Sequence, residues 1–334
     1  MDFQNRRALK EAAHHSLAAA PYDPRKIVWI HTAVRVGASL IGTLINFVLG
    51  LQIENTGGLS GIGTRAMLST AQSFLQVIVA IALPFWEAGF LYATMGFARE
   101  RRTEPGNLLE GFRRFGPLLR SRLLQMLIYF AVGFATFFIS MQIFLLTPLS
   151  KRLLEVMETI PMESMLSDTA FVLDEATQIA VLEAYAPMML IFLAVYSVAM
   201  LVVSYNFRMM DYLILDHPGL GAIAAFRLSR VQIRMKKMAL FKLDLSFWWF
   251  YVLQTLASML AYADYMLATF GIAVPVSPEV LFLGSLVLSL VCQTALYVLA
   301  RNQVFTTYAK FYDATALPLQ AAPKQPQQNI PWAN

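Results

Sequence analysis

His31 and Arg35 stand four residues apart in one apolar stretch, and Glu87 lies in another between Trp86 and Ala88. The i, i+4 spacing puts the imidazole and the guanidinium on one helix face. Counted from the basic ends of the two stretches at ~1.5 Å per residue, Arg35 lies ~12 Å deep and Glu87 ~15 Å deep in a bilayer. An unpaired charge at that depth costs ~2.5–3.5 kcal/mol even on lenient insertion scales, so an interhelical Arg35–Glu87 pair is the natural solution. Three arrangements stay open: a structural clasp, a polar site on a substrate or proton pathway that also draws on Gln76, or Arg35 reaching the interface alone.

A second chemical pattern is basic. Arg227, Arg230, Arg234 and Lys237 recur at 3-4-3 spacing, and Leu228, Val231, Met235 and Met238 follow the same rhythm on the neighbouring stripe. Such a helix buries its apolar side at the headgroup boundary while its long cations extend toward phosphates, which fits anionic lipid at the inner leaflet. Nearby, Arg208 and Asp211 read as a local i, i+3 pair, and Asp244 as a solvated residue flanking the next apolar run.

No catalytic constellation accompanies these residues. The chain holds no HExxH, GxSxG or Walker loop, and no carboxylate-rich loop suited to Mg²⁺. Cys292 is the single cysteine and sits in an apolar run, so it offers neither a disulfide framework nor a zinc site. The expectation is a non-enzymatic protein with no catalytic residue, metal or cofactor.

The elements that must position these groups follow from composition. Hydrophobic residues make up 57% of the 334-residue chain, charged residues only 14%, and mean hydropathy is +0.56. The apolar residues fall into runs of roughly twenty, the length a ~30 Å hydrocarbon core demands of a helix. The fold class expected is all-α: a polytopic membrane protein with six transmembrane helices at about 27–50, 71–97, 123–147, 187–210, 243–271 and 280–308. Pro84 predicts a kink in the second run, and Pro187 reads as the first-turn residue of the fourth.

Residues 1–26 form a polar, mildly basic N-terminal segment in which Phe3, Leu9, Ala13 and Leu17 give a weak apolar stripe, read as an amphipathic helix at the headgroup level. The six-span membrane domain covers 27–308. Within it, 149–186 carries seven acidic residues (Glu155, Glu158, Glu163, Asp168, Asp174, Glu175 and Glu183) and predicts an external cap of two helices broken at Pro161. Amphipathic interfacial helices are expected in the cytoplasmic loops. The tail at 309–334 is Pro- and Gln-rich toward its end and reads as largely disordered.

Orientation comes from Lys and Arg. Counted in and at the edges of each connection, they number five before the first run, then one, seven, two, seven, none, and three at and beyond the inner end of the sixth. The strict alternation places both termini in the cytoplasm of a multi-pass protein. The same distribution argues against nucleic acid as partner, because the net charge of +5 lies in short loops and not on a soluble domain. Membrane lipids, with a membrane-protein partner or a second copy of the chain, are the partners expected.

The inner hairpin carries a family resemblance. Tyr212-Leu213-Ile214-Leu215-Asp216-His217-Pro218, Ser229, Met235-Lys236, Phe241, Leu245-Ser246-Phe247 and Trp249 are similar to the signature of the DUF975 family. Leu9-Lys10, Leu109-Glu110-Gly111-Phe112-Arg113 and Phe311-Tyr312 extend the likeness over most of the chain, while Lys237 and Trp248 stand where the pattern usually has glycine. The resemblance implies a multi-pass protein of a bacterial cytoplasmic membrane and supplies no activity or ligand. The function expected is therefore an integral membrane protein acting through lipids or protein partners, in envelope maintenance or assembly. The alternative is a transporter, or a component accessory to one, with its polar site around Arg35 and Glu87.

Overall fold

The computed structural model describes residues 5–55, 61–159, 175–269 and 275–316. They form an all-helical protein with no strand among the described residues. Chain order begins with α1 (Arg6–Ala18), α2 (Pro24–Asn55) and α3 (Gly61–Ala98). A 3₁₀ turn at Pro105–Leu109 then leads to α4 (Glu110–Arg113), α5 (Phe115–Leu145) and α6 (Leu149–Thr159). Next come α7 (Glu175–Phe207), α8 (Met210–Asp216), α9 (Ala222–Ile233), α10 (Lys237–Ser246) and α11 (Trp248–Met259). A 3₁₀ turn joins α11 to α12 (Ala263–Thr269), and α13 (Pro278–Leu296) continues through a π-helical turn at Tyr297–Arg301 into α14 (Asn302–Thr315).

The long helices pair as hairpins: α2 with α3, α5 with α7, and the broken α11–α12 rod with α13. Four helical stretches are long and apolar enough to cross a membrane: Ala66–Ala98, Phe115–Leu145, Ile179–Asp216 and Val280–Thr315. The other two predicted runs take different forms. Arg25, Lys26 and Arg35 lie in the first part of α2, and the fifth run is interrupted by the 3₁₀ turn at Leu260–Tyr262.

Two prolines behave differently from each other. Pro84 lies inside continuous α3, as a membrane helix tolerates when neighbours satisfy the freed carbonyl. Pro187 does not open its helix. α7 starts at Glu175, and the residues before the proline pack on α6, with Arg152 Nη2 donating to Glu183 Oε2 at 2.8 Å. The predicted acidic cap thus has α6 and the start of α7 as its described parts, whereas Glu163, Asp168 and Asp174 lie outside the described residues.

The tightest packing is at one end of the bundle. α1, capped by the Asn5 side chain accepting from the Ala8 N–H at 3.2 Å, inserts Leu9 and Ala13 among α3 and α14. Leu108, Leu215, Ile233, Leu240 and Phe311 are likewise fully buried there. Helix continues past residue 308, with Phe311 and Tyr312 inside this core. Two glycines permit the close approach of α3 to the turn that follows it. A Cβ on Gly89 would lie 1.8 Å from the Leu108 carbonyl oxygen, and one on Gly111 1.9 Å from that of Phe85.

Candidate functional site

Within the α2–α3 hairpin, the groups singled out by spacing meet. Arg35 Nη1 donates to Glu87 Oε1, and His31 Nε2 lies 3.7 Å from Glu87 Oε2. His31 is fully buried between aromatic rings, stacked on Trp86 at 5.7 Å and tilted against Phe90 at 4.5 Å. The Trp86 indole N–H donates to the His31 carbonyl at 3.1 Å, which fixes α2 against α3 next to the carboxylate.

A third charge completes the cluster. Arg301, 3% exposed, donates through Nη2 to Glu87 Oε2 from the π-helical turn. Its guanidinium also sits over the rings of Tyr297, Phe90 and Phe305 at 4.6, 5.0 and 5.0 Å, so cation–π attraction adds to the ion pair. One carboxylate therefore joins two guanidiniums, and the centre carries a net charge of +1 with His31 neutral. π turns recur at functional sites because the extra residue breaks the regular backbone ladder. Sequence reading counts Arg301 only among the cations of the inner end. The available signal was its position inside the run 280–308, where a cation needs a carboxylate as much as Arg35 does.

At the tightly packed end of the bundle a separate cluster clasps three helices. Arg99, one residue beyond α3, donates to Asp216 at 2.6 and 2.8 Å and to Asp313 at 2.7 Å, and the Tyr312 hydroxyl donates to Asp216 at 3.1 Å. The hydrogen bond to Asp216, reinforced by Asp313, pushes the Arg99 pKa further above its already high value, so this clasp keeps its cation at any physiological pH. Arg114 donates to the Ile214 and Leu215 carbonyls, satisfying the C-terminal end of α8.

Two local assignments require correction. Asp211 does not pair with Arg208; it accepts from Arg122 Nη2 at 2.6 Å, whereas Arg208 Nη2 reaches Asp244 at 3.3 Å. Asp244 is a hub, accepting also from the Tyr205 hydroxyl at 2.8 Å and the Tyr308 hydroxyl at 2.5 Å. The reason is the path of the chain. The α8–α10 hairpin returns beside α7, so residues 36 apart meet more closely than residues three apart.

The basic stripe lies elsewhere. Arg227 and Arg230 are exposed on α9, Arg234 is exposed just after it, and Lys237 is half-buried at the start of α10. Val231, Met235 and Met238 are exposed on the same side, Met235 at 90%, while Leu228 is partly buried against the core. The face of α9 held by the protein is instead Ala222, Ala225, Ser229, Gln232 and Ile233. Ser229 ties it down, its hydroxyl donating to the Asn206 carbonyl at 2.7 Å and accepting from the Met209 N–H at 3.3 Å.

Length, composition and exposed apolar faces together define a helical protein with membrane-spanning elements. Within that class, a family model described as protein of unknown function (DUF975) matches residues 35–315, and the chain belongs to that family. Comparison with curated proteins and with solved structures gives no match in either. No group of three or more His, Cys, Asp or Glu that could hold a metal occurs among the described residues.

Proposed function

We propose that this chain is a six-span protein of a bacterial cytoplasmic membrane, both termini inside, that acts without catalysis through anionic lipid and protein partners. The observation that carries the reading is the outer side of α9. Arg227 and Arg230, with Arg234 just after the helix, stand exposed beside Val231 and, further along the chain, exposed Met235 and Met238, while the opposite side of the helix is buried in the protein. Exposed cations interleaved with exposed apolar side chains match the boundary between headgroup and acyl chain. The apolar side continues along the chain as Met238, Phe241, Leu245 and Trp248, all exposed, with Trp248 suited to the headgroup level.

Support for six spans comes from the hairpins. Tyr251 and Tyr308 share a hydroxyl–hydroxyl contact of 3.1 Å, Gln254 donates to the Tyr297 hydroxyl at 3.2 Å, and Ser289 donates to the Ala257 carbonyl at 2.7 Å. Those contacts run antiparallel, as successive crossings require. α1 packs against α14, which agrees with both ends of the domain lying on one side.

The test is lipid retention. The full chain, purified from anionic bilayers, is expected to keep several phosphatidylglycerol molecules in preference to phosphatidylcholine by native mass spectrometry, and neutralising Arg227, Arg230, Arg234 and Lys237 together is expected to lower that number. An unchanged number ends the docking reading. Labelling of a cysteine introduced at Glu155 from the external side checks the orientation.

The transport reading has its own support in the Glu87 centre. A cation in excess of its carboxylate, held by three helices, would attract an anion, and Arg35→Gln, which removes the excess charge, would then abolish uptake of the anion carried.

A further inference from the structure

A cavity of about 350 Å³ opens among α5, α7, α8 and α11, lined on its polar side by the Arg122–Asp211 and Arg208–Asp244 pairs together with Tyr205 and Tyr308. A groove of about 840 Å³ runs along α5 and α7, and the two spaces share Arg122, Gln125 and Tyr129 in their walls. The groove is aromatic. Phe130 and Phe134 form one wall and Phe192 and Tyr196 the other, each pair stacked, and Gly133 leaves the gap between them. Phe130 is 71% exposed and Phe134 59%, so the groove opens sideways from the bundle.

We infer that this composite space holds one anionic glycerophospholipid, its phosphate in the cavity at Arg122 and Arg208 and an acyl chain in the α5–α7 groove. The donor balance selects the head. Asp244 already accepts from Arg208, Tyr205 and Tyr308, and Asp211 from Arg122. Among the hydrogen bonds of the described residues, Arg122 donates through Nη1 and Nη2 and Arg208 through Nη2 alone. A guanidinium offers five N–H groups, so the capacity left over in the cavity is donor capacity, which an acceptor-only phosphate matches. The volume suits a headgroup, being within the ~300–1,000 Å³ usual for ligand pockets. Continuity with an aromatic groove that faces outward selects an amphiphile over a free phosphate compound. The site is separate from the α9 stripe, and it rests on the membrane placement of α5 and α7 proposed above.

The experiment uses the full chain in detergent, reconstituted with defined probes: dioleoyl phosphatidylglycerol, dioleoyl phosphatidylcholine and glycerol phosphate. Native mass spectrometry is expected to show one phosphatidylglycerol that survives dilution, with phosphatidylcholine retained at least tenfold less and glycerol phosphate not retained. Arg122→Gln combined with Asp211→Asn keeps the local charge balanced and is expected to lower phosphatidylglycerol retention about tenfold. Gly133→Leu fills the groove without touching a charge and is expected to lower it several-fold, which keeps the test alive if the first variant fails to fold. Retention unchanged in folded Gly133→Leu, or equal retention of the two lipids, overturns the inference; glycerol phosphate bound as well as the lipid overturns the groove as the tail site. The variant neutralised on the α9 stripe is expected to keep this tightly held lipid, so the two proposals fail separately.

Discussion

The tightly packed end of the bundle and the outward faces of its long helices are built to different rules. At the packed end, side chains from α1, α3, α8 and α14 are buried to completeness and Arg99 ties three helices through two carboxylates. Along α5 and α7 the apolar residues face outward, with Leu127, Phe130, Leu190 and Leu193 all more than half exposed. Soluble-type burial stabilises the first region; hydrocarbon must supply the contacts missing from the second. Substitutions will therefore be felt unequally in the two regions.

The largest effect is expected at Glu87, where truncation to alanine leaves Arg35 and Arg301 facing each other. Loss of a partly buried partner of this kind costs on the order of 3 kcal/mol, read as a lowered midpoint of unfolding in detergent. A smaller but still large loss follows at the close helix contact. Gly89→Ala and Gly111→Ala drive a methyl into a backbone carbonyl, for which about 1–3 kcal/mol is the expected cost.

Gly133 sharpens the contrast, since the same substitution there reverses sign. A Cβ at that position meets only Tyr196 Cε2 at 3.6 Å, an ordinary contact, so Gly133→Ala should stabilise α5 by roughly 0.5–1 kcal/mol. The smallest effect is expected for Phe130→Leu, within about 0.5 kcal/mol in the same assay, because the ring packs on little protein. A loss at Phe130 as large as that at Gly89 would erase the distinction between the two regions.

What was legible in the sequence follows the same division. The Arg35–Glu87 pair could be anticipated because a charge in a long apolar run demands a partner and only a few were on offer. The face by which α9 joins the protein could not. Its Ile223 and Val231 are exposed, and a row of small residues around Ala225 and Ser229 is buried. Hydropathy cannot separate a side that meets lipid from one that meets protein, since both environments are apolar, whereas small residues allow close approach.

Taken alone, the sequence determined the all-helical class, the location of the long apolar segments and the concentration of cations between alternate pairs of them, because these depend on composition and period along the chain. Only the tertiary structure decided the partners: Arg301 with Glu87, Arg122 with Asp211, and Arg208 with Asp244. Ion pairing depends on distance in space. Helices from remote parts of the chain bring residues as far apart as Glu87 and Arg301 into contact, and no local spacing encodes that.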